Sequence, residues 1–374
     1  MRIGIDCRFW NETGVGRYIR NLVEQLQVID KTNEYVLFVR SRDYARIKNQ
    51  ELRIKDYRWK VVKADIRWHS VEEQFRFPQI LNRENLDLMH FPYFSVPLLY
   101  TKPFVITIHD LIINHFPTGQ ATTLPLPFYK LKYLGYQFVL QQAARRAKKI
   151  LTVSNATKKE IIEHLNVPEK KIVVSYEGVD KRVLSNKNQK SSLKETYFLY
   201  VGNAYPHKNL EFLLNGFKIF TDQQKNVRLV LVGKDDFFYK RLKEKVVAMG
   251  LSNSVIFLQN VEDDELGNLY HHATAVVLPS LMEGFGLPAV EAMGAGSLVV
   301  ASDIPAFREV CKDVALYFGS AKVNELVLQL QKISTMPKGY FDKNIEAGYS
   351  LAKKYSWEKM AKETKSLYES CISL

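Results

Sequence analysis

Short apolar runs recur along the chain. Each is followed by a polar, often glycine-containing turn and then by a segment with apolar residues every three or four positions. Brief apolar runs bounded by turn residues read as buried strands, and a 3.6-residue period reads as helix. Strands are predicted at residues 2–6, 35–39, 59–62, 88–91, 105–109, 150–153 and 172–175, and the series restarts at 198–201, 229–232, 255–258, 275–278 and 298–301. Strand alternating with helix is the pattern of a parallel sheet with crossover helices. Between the two series, residues 181–196 are rich in Lys, Ser and Asn and poor in large apolar side chains, a linker composition. The predicted architecture is α/β, with two Rossmann-like doubly wound domains, residues 1–180 and 197–356, facing a central cleft. Trp357 is placed to anchor a last helix, 357–374, that crosses back to the first domain. In such sheets ligands bind beyond the carboxyl ends of the strands, so the segment after each strand holds the candidate chemistry.

The richest of these segments is Ser280 to Gly294. A glycine-rich turn leads from the strand at 275–278 into a helix, with Pro288 suited to its first position. Gly284 and Gly286 let a ligand approach the backbone, and the N–H groups of the helix start suit a phosphate. Glu283 and Glu291 bracket the turn. Phosphate for the amides and hydroxyls for the acids together point to a sugar nucleotide; the alternative is a βα turn with solvated acids. After the strand at 198–201 come Gly202, Asn203 and Pro206-His207-Lys208-Asn209. Lys208 is placed to meet a diphosphate as a point charge, or else is a solvated lysine at a helix entry. Asn209 is a predicted helix cap. Gly233 and Val261 stand at the next two strand ends. The acidic run Glu262-Asp263-Asp264-Glu265 begins a helix, where the dipole alone favours acids, so it is not read as a metal cluster.

In the first half, Gly14 and Gly16 form a close-approach loop with Arg17 near bound anions, or an ordinary βα turn. The third glycine of a dinucleotide fingerprint is missing, since Ile19 stands in its place. His109 and Asp110 end the strand at 105–109. His109 is a candidate for contact with a sugar hydroxyl or acceptor, and Asp110 for orienting it or acting as base; a structural role is the alternative for each.

Apolar content of 46% and charged content of 25% are ordinary globular values. No run of about 18 apolar residues occurs, so no spanning helix is expected. The start of the chain lacks a signal-peptide layout, and three dispersed cysteines fit a reducing compartment without a disulfide framework. The expected location is the cytoplasm. The net charge of +13 changes the picture by calling for an anionic partner: nucleic acid, a membrane face or an anionic substrate. Residues 111–159 contain no acid but hold Lys130, Lys132, Arg145, Arg146, Lys148, Lys149, Lys158 and Lys159, interleaved with Phe128, Tyr129, Tyr133, Tyr136 and Phe138. That mixture fits docking at the anionic inner face of a membrane, or a lipid-diphosphate acceptor. The alternative is a core helix with inward aromatics and a basic end that complements its dipole.

These motifs together resemble the retaining glycosyltransferases of family 4, with the GT-B fold. The resemblance runs nearly end to end, through Gly14-Val15-Gly16-Arg17-Tyr18, Ile108-His109-Asp110, Thr152-Val153-Ser154-Asn155, Val201-Gly202, Pro206-His207-Lys208-Asn209 and Pro279-Ser280. Its most specific part is Glu283-Gly284-Phe285-Gly286-Leu287-Pro288 with Glu291. The resemblance implies a metal-independent hexosyltransferase without a cofactor, whose donor is a nucleotide sugar and whose acceptor is a glycan or lipid-linked molecule of cell-surface polysaccharide assembly. GDP-mannose is favoured over UDP-glucose or UDP-N-acetylglucosamine as donor. His109, Lys208 and Glu283 are implied as catalytic, with Glu283 on the transferred sugar. The donor side comprises Gly14, Gly16, Asn203, Lys208, Gly233, Val261, Gly284, Phe285, Gly286, Leu287 and, on the ribose, Glu291. Arg17 and Asp110 are implied on the acceptor side, and no residue is assigned to a metal. Many relatives carry arginine where this chain has Asn203, so His207 or Arg17 is expected to supply the missing cation. Two other classes compete. The missing glycine disfavours an NAD-dependent oxidoreductase, and nucleic-acid binding rests on net charge alone and is not expected.

Overall fold

The structure, a computed structural model, describes residues 1–51, 56–116, 126–180, 191 and 193–372. The chain divides into two compact units: Met1–Glu177 with Trp357–Leu374, and Gly178–Ser356. In the predicted linker, residues 181–190 and 192 lie outside the described residues.

Unit 1 is built on β1 (Arg2–Asp6), β2 (Glu34–Val39), β3 (Trp59–Lys63), β4 (Leu88–Phe91), β5 (Phe104–Ile108), β6 (Ile150–Thr152) and β7 (Ile172–Val174). Its helices are α1 (Gly14–Ile29), α2 (Ser41–Arg46), α3 (Val71–Asn82), α4 (Ile112–His115), α5 (Leu126–Arg146) and α6 (Asn155–Leu165). Unit 2 holds β8 (Thr196–Val201), β9 (Val227–Val232), β10 (Val255–Leu258), β11 (Ala275–Leu278), β12 (Val299–Ser302) and β13 (Leu316–Phe318). Its helices are α7 (Leu210–Thr221), α8 (Phe237–Ala248), α9 (Asp263–His272), α10 (Leu287–Ala295), α11 (Pro305–Cys311), α12 (Val323–Thr335) and α13 (Asp342–Ala352). The last helix, α14 (Trp357–Ile372), belongs to unit 1 and packs on α1 and β4.

The sheet orders are β3-β2-β1-β4-β5-β6-β7 and β10-β9-β8-β11-β12-β13. The described pairings are parallel. Both orders reverse after the first strand is laid down, between β1 and β4 and between β8 and β11, and that reversal opens a crevice at the strand ends. Each predicted strand is present, displaced by no more than two residues at an end. The exception in the other direction is β13, a three-residue edge strand that no sequence expectation covered, although it lies in the apolar run 314–318.

Both faces of a parallel sheet are covered by helices, so its strands are apolar throughout rather than alternating. In unit 1, Phe38, Met89 and Ile106 share a core with Phe77, Leu81 and Leu140. In unit 2, Leu229, Leu231 and Val300 pack with Leu214, Phe217 and Leu330. Helix starts are set by side chains that accept from otherwise unpaired N–H groups. Ser70 accepts from Glu73, Ser154 from Thr157, and Asp236 from Phe238 and Tyr239. Among the described residues, no helix is long and apolar enough to cross a membrane.

Candidate active site

The reversal in unit 2 brings two strand-end turns together. After β11 the chain runs through Ser280 and Glu283 to Gly286, which enters α10 at φ +94°. A side chain there would be strained by that φ and would meet the Phe307 ring at 2.7 Å, so glycine is required. After the neighbouring β8, Pro206–Lys208 form a single 3-10 turn that Asn209 closes at φ +58°. The Leu281 N–H donates to the His207 carbonyl at 2.7 Å, which joins the turns. Lys208 Nζ then donates to Glu283 Oε1 at 2.6 Å, and the Ser280 hydroxyl donates to the same oxygen at 2.7 Å. Both charged side chains are mostly buried, at 16% and 12% exposure. Burial alone would raise the Glu283 carboxyl, but the Lys208 charge and the Lys208 and Ser280 hydrogen bonds outweigh it and hold the group below the usual glutamate value.

Glu291 lies on α10, buried, where the Tyr270 hydroxyl donates to its Oε2 at 3.0 Å. Lys208, Glu283, Gly284, Phe285, Gly286, Leu287 and Glu291 thus gather around one helix start. Phe285 packs inward, edge-on to Tyr355 at 5.5 Å. Asn203 uses its Oδ1 to accept from the Tyr205 N–H at 3.4 Å, and its carbonyl accepts from the Tyr200 hydroxyl. Gly233 is required by packing within the fold itself, since a Cβ would fall 2.2 Å from the Tyr239 hydroxyl and 2.4 Å from the Gly202 carbonyl. Val261 is half-buried in the turn ahead of α9, whose first turn carries the acidic run. One expectation needs correction. Asn209 occupies the cap position but does not cap α7; its side-chain amide donates to the Ser320 carbonyl at 3.0 Å. Burial, then the Lys208 charge, lowers the His207 ring to about 4.

In unit 1, Gly14, Gly16 and Arg17 form the first turn of α1 rather than a loop before it. A Cβ on Gly16 would lie 2.5 Å from the Trp10 carbonyl, so the close approach there is made by the chain's own backbone. Gly14 is open to solvent. His109 follows β5 with both ring nitrogens facing oxygens: Nε2 is 3.0 Å from the Pro92 carbonyl, and Nδ1 is 3.5 Å from Glu177 Oε1. The Tyr18 ring meets it edge-on at 4.8 Å. Asp110 accepts from the Ile112 N–H at 3.0 Å, which shapes the turn into α4. Sequence reasoning missed Ser280 as a partner of Glu283, Tyr270 as the support of Glu291, and Glu177 as the carboxylate beside His109. Ser280 and Glu177 both follow a strand closely, which was their available signal.

In the basic stretch, residues 117–125 lie outside the described residues, as do the side chains of Leu126, Pro127 and Tyr129. The described part of α5 divides in two. Leu140, Ala143 and Ala144 join the core, and Tyr136 packs against it. Phe128, Leu131, Leu134 and Phe138 are exposed, at 66%, 71%, 62% and 54%, beside exposed Lys130 and Lys132. Arg146 and Lys149 instead donate to backbone carbonyls of Leu98 and Lys170.

Residues 13–183 match the family described as Glycosyltransferase Family 4, and residues 182–351 that described as Glycosyl transferases group 1. The O-antigen chain mannosyltransferase RfbU of Salmonella typhimurium is 33% identical over 270 residues, 72% of this chain and 71% of that protein. The O-antigen chain mannosyltransferase B of Escherichia coli is 27% identical over 96% of each chain. Among solved structures, sucrose-phosphate synthase from Thermosynechococcus elongatus superposes with a TM-score of 0.77 at 17% identity, covering 100% of this chain and 99% of that one. Anabaena HepE, solved in complex with UDP-glucose, gives a TM-score of 0.75 at 15% identity, covering 99% and 100%. At such identities the structural likeness speaks for the fold.

Proposed function

The chain belongs to the glycosyltransferases of group 1 and family 4, with the GT-B layout of two α/β units, and from that premise we propose that it transfers mannose from GDP-mannose, with retention at the anomeric carbon, to a glycan or lipid-linked acceptor in cell-surface polysaccharide assembly. The observation that carries this reading is the Lys208–Glu283 contact at the start of α10. A diphosphate and the sugar it carries are adjacent parts of one molecule. A cation for the former and a carboxylate for the latter must therefore be neighbours, as these are. The preference for mannose rests on the named mannosyltransferase relatives.

The proposed roles follow from charge development. Breaking the anomeric C–O bond leaves an oxocarbenium-like sugar and a diphosphate that gains negative charge. Lys208 and the amides of Phe285, Gly286 and Leu287 stabilise that anion without a metal ion; fixed donors of this kind contribute about 2.7–4 kcal/mol each. Glu283 exchanges its bond with Lys208 for sugar hydroxyls, and Glu291, held by Tyr270, binds the ribose. Attack comes from the face the leaving group departs, with the leaving phosphate taking the acceptor proton, so Glu283 is not a nucleophile of the kind retaining glycosidases use. His109 contacts the transferred sugar or the acceptor. The enzyme is placed at the cytoplasmic face of the membrane, with the apolar and basic face of α5 docking on anionic lipid.

The test is thermal unfolding with GDP-mannose, UDP-glucose and UDP-N-acetylglucosamine, since a ligand that binds only the folded state raises its stability. GDP-mannose should give the largest rise, and NMR of the product should show the donor's anomeric configuration. A larger rise with a UDP-sugar overturns the donor, and an inverted product overturns retention.

A further inference from the structure

His115, Glu160 and His164, all in unit 1, form a cluster of two imidazoles and one carboxylate. His115 ends α4, while Glu160 and His164 stand one turn apart on the same face of α6. His164 Nε2 is 3.2 Å from Glu160 Oε2, and His115 Nε2 contacts the same oxygen. The two imidazoles meet edge to face, with centroids 5.0 Å apart. All three ligand atoms lie within 4.8 Å of one another. A tetrahedral zinc ion, with ligands at about 2.0–2.1 Å, separates neighbouring ligand atoms by about 3.3 Å. The His164–Glu160 spacing already matches, and a small rotation of His115 would complete the set.

The geometry points to a binding site for a zinc-type divalent cation, held by His115, Glu160 and His164 with water in the remaining position. Two imidazoles and one carboxylate suit a borderline cation better than magnesium or calcium, which prefer all-oxygen sites. Side-chain exposures of 34%, 27% and 40% for His115, Glu160 and His164 leave the ion a path from solvent. Nearby lysines do not oppose it unscreened: Lys158 pairs with Glu169 at 2.8 Å, and Lys159 lies 3.8 Å from Glu163.

The site's position gives it a role. α4 follows directly on His109 and Asp110, and on α6 the Thr157 hydroxyl donates to the His109 carbonyl at 3.4 Å. A cation joining His115 to α6 closes a second link across the turn that carries His109 and Asp110. It acts by fastening that turn, and none of its ligands is assigned to sugar transfer. The proposal stands whether or not the donor is GDP-mannose.

The test uses the full chain, freed of metal with a chelator. Zinc titration followed by calorimetry should show one equivalent bound, zinc should raise the unfolding temperature, and cobalt should give the visible absorption of a tetrahedral site. His115→Ala with His164→Ala, and separately Glu160→Gln, should weaken binding at least about tenfold. His271→Ala with His272→Ala, at the other described pair of neighbouring histidines, should leave it unchanged. These are partly exposed positions, and unfolding of the metal-free variants near the wild-type temperature would confirm that they fold. Failure of the wild-type chain to bind zinc at micromolar concentration overturns the proposal. So does unaltered binding in the Glu160→Gln or the double His115/His164 variant.

Discussion

In unit 1 the charges beside the strand reversal are sealed inside the protein, whereas in unit 2 they stand at the strand ends, partly open. Arg8, just past β1, donates to Asp6 at 2.7 Å and to Glu73 at 2.6 Å, with its guanidinium 3.7 Å above the Phe77 ring. In the same unit, His90 links the Tyr368 hydroxyl at 2.6 Å to the Thr107 hydroxyl at 2.8 Å, tying α14 to β4 and β5. In unit 2, Lys208 and Glu283 occupy the matching reversal but keep some exposure. The same strand order therefore provides a crevice in both units without deciding its chemistry. A charge enclosed by internal partners braces its unit. One held at a helix start by a lysine and a serine hydroxyl, with some exposure left, is able to exchange a contact for a ligand.

The largest expected effect breaks the sealed side. Arg8→Met should cost about 3–5 kcal/mol of stability, because it leaves two carboxylates buried without their cation. Denaturant titration measures this, and a loss well under about 1 kcal/mol would show that the network is not a brace. Next comes the open side. Lys208→Ala should lower kcat about 10²–10³-fold, the equivalent of a lost oxyanion donor. Activity within a few-fold of wild type would remove Lys208 from the diphosphate. Glu291→Gln should be milder, raising the donor KM about tenfold, near 1.4 kcal/mol, with kcat little changed. Unchanged donor KM would sink the ribose assignment.

Acid should separate the units further. Burial, then the charges of Lys132 and Arg8, lowers His69 to about 4; burial, then His109, lowers His90 to about 3. Both are in unit 1, while unit 2 has His207, lowered to about 4. The unfolded chain takes up these protons first, near pH 6.5. Stability is therefore lost as pH falls from about 6.5 to about 4 for His69 and His207, and to about 3 for His90. Glu283, held below its ordinary value, adds a later loss below about pH 4.3. His90→Gln should flatten the fall in unfolding temperature between about pH 6.5 and 3, and an unaltered slope would count against His90 as a source of acid lability.

Much of this was legible in the sequence because it is local. β11, the glycine turn, Pro288 and α10 follow one another, and the chemistry of each residue announces its place. The strands were legible because both faces of a parallel sheet are buried, which writes them as apolar runs. Contacts between distant positions leave no such trace. Lys208 and Glu283 are 75 residues apart, so their contact could not be read from either motif. His115 and Glu160, 45 apart, gave no metal-ligand spacing. Arg8 passed unremarked because a loop arginine reads as solvated until Asp6 and Glu73 are seen around it. The lowered pKa of His207 was hidden for the same reason, since its burial depends on how two turns close.

The smallest effect concerns α5, where the comparison narrows to two stretches of one helix. Its last two turns supply Leu140, Ala143 and Ala144 to the core, and the stretch before them presents Phe128, Leu131, Leu134 and Phe138 to solvent beside Lys130 and Lys132. A soluble partner-free helix gains nothing from such a face, whereas an anionic membrane takes both parts, apolar side chains into the boundary and lysines onto the headgroups. Each lysine near a charged bilayer contributes about 1 kcal/mol, so Lys130→Gln and Lys132→Gln should each weaken binding to phosphatidylserine vesicles about fivefold. Phe138→Ser should weaken it as well while leaving unfolding within about 0.5 kcal/mol, because the side chain is exposed. Added salt should release the wild-type chain and have less effect on the double lysine variant, since the screened term is the one removed. Flotation that ignores both lysines and Phe138 would place the membrane contact elsewhere and leave this face to another protein.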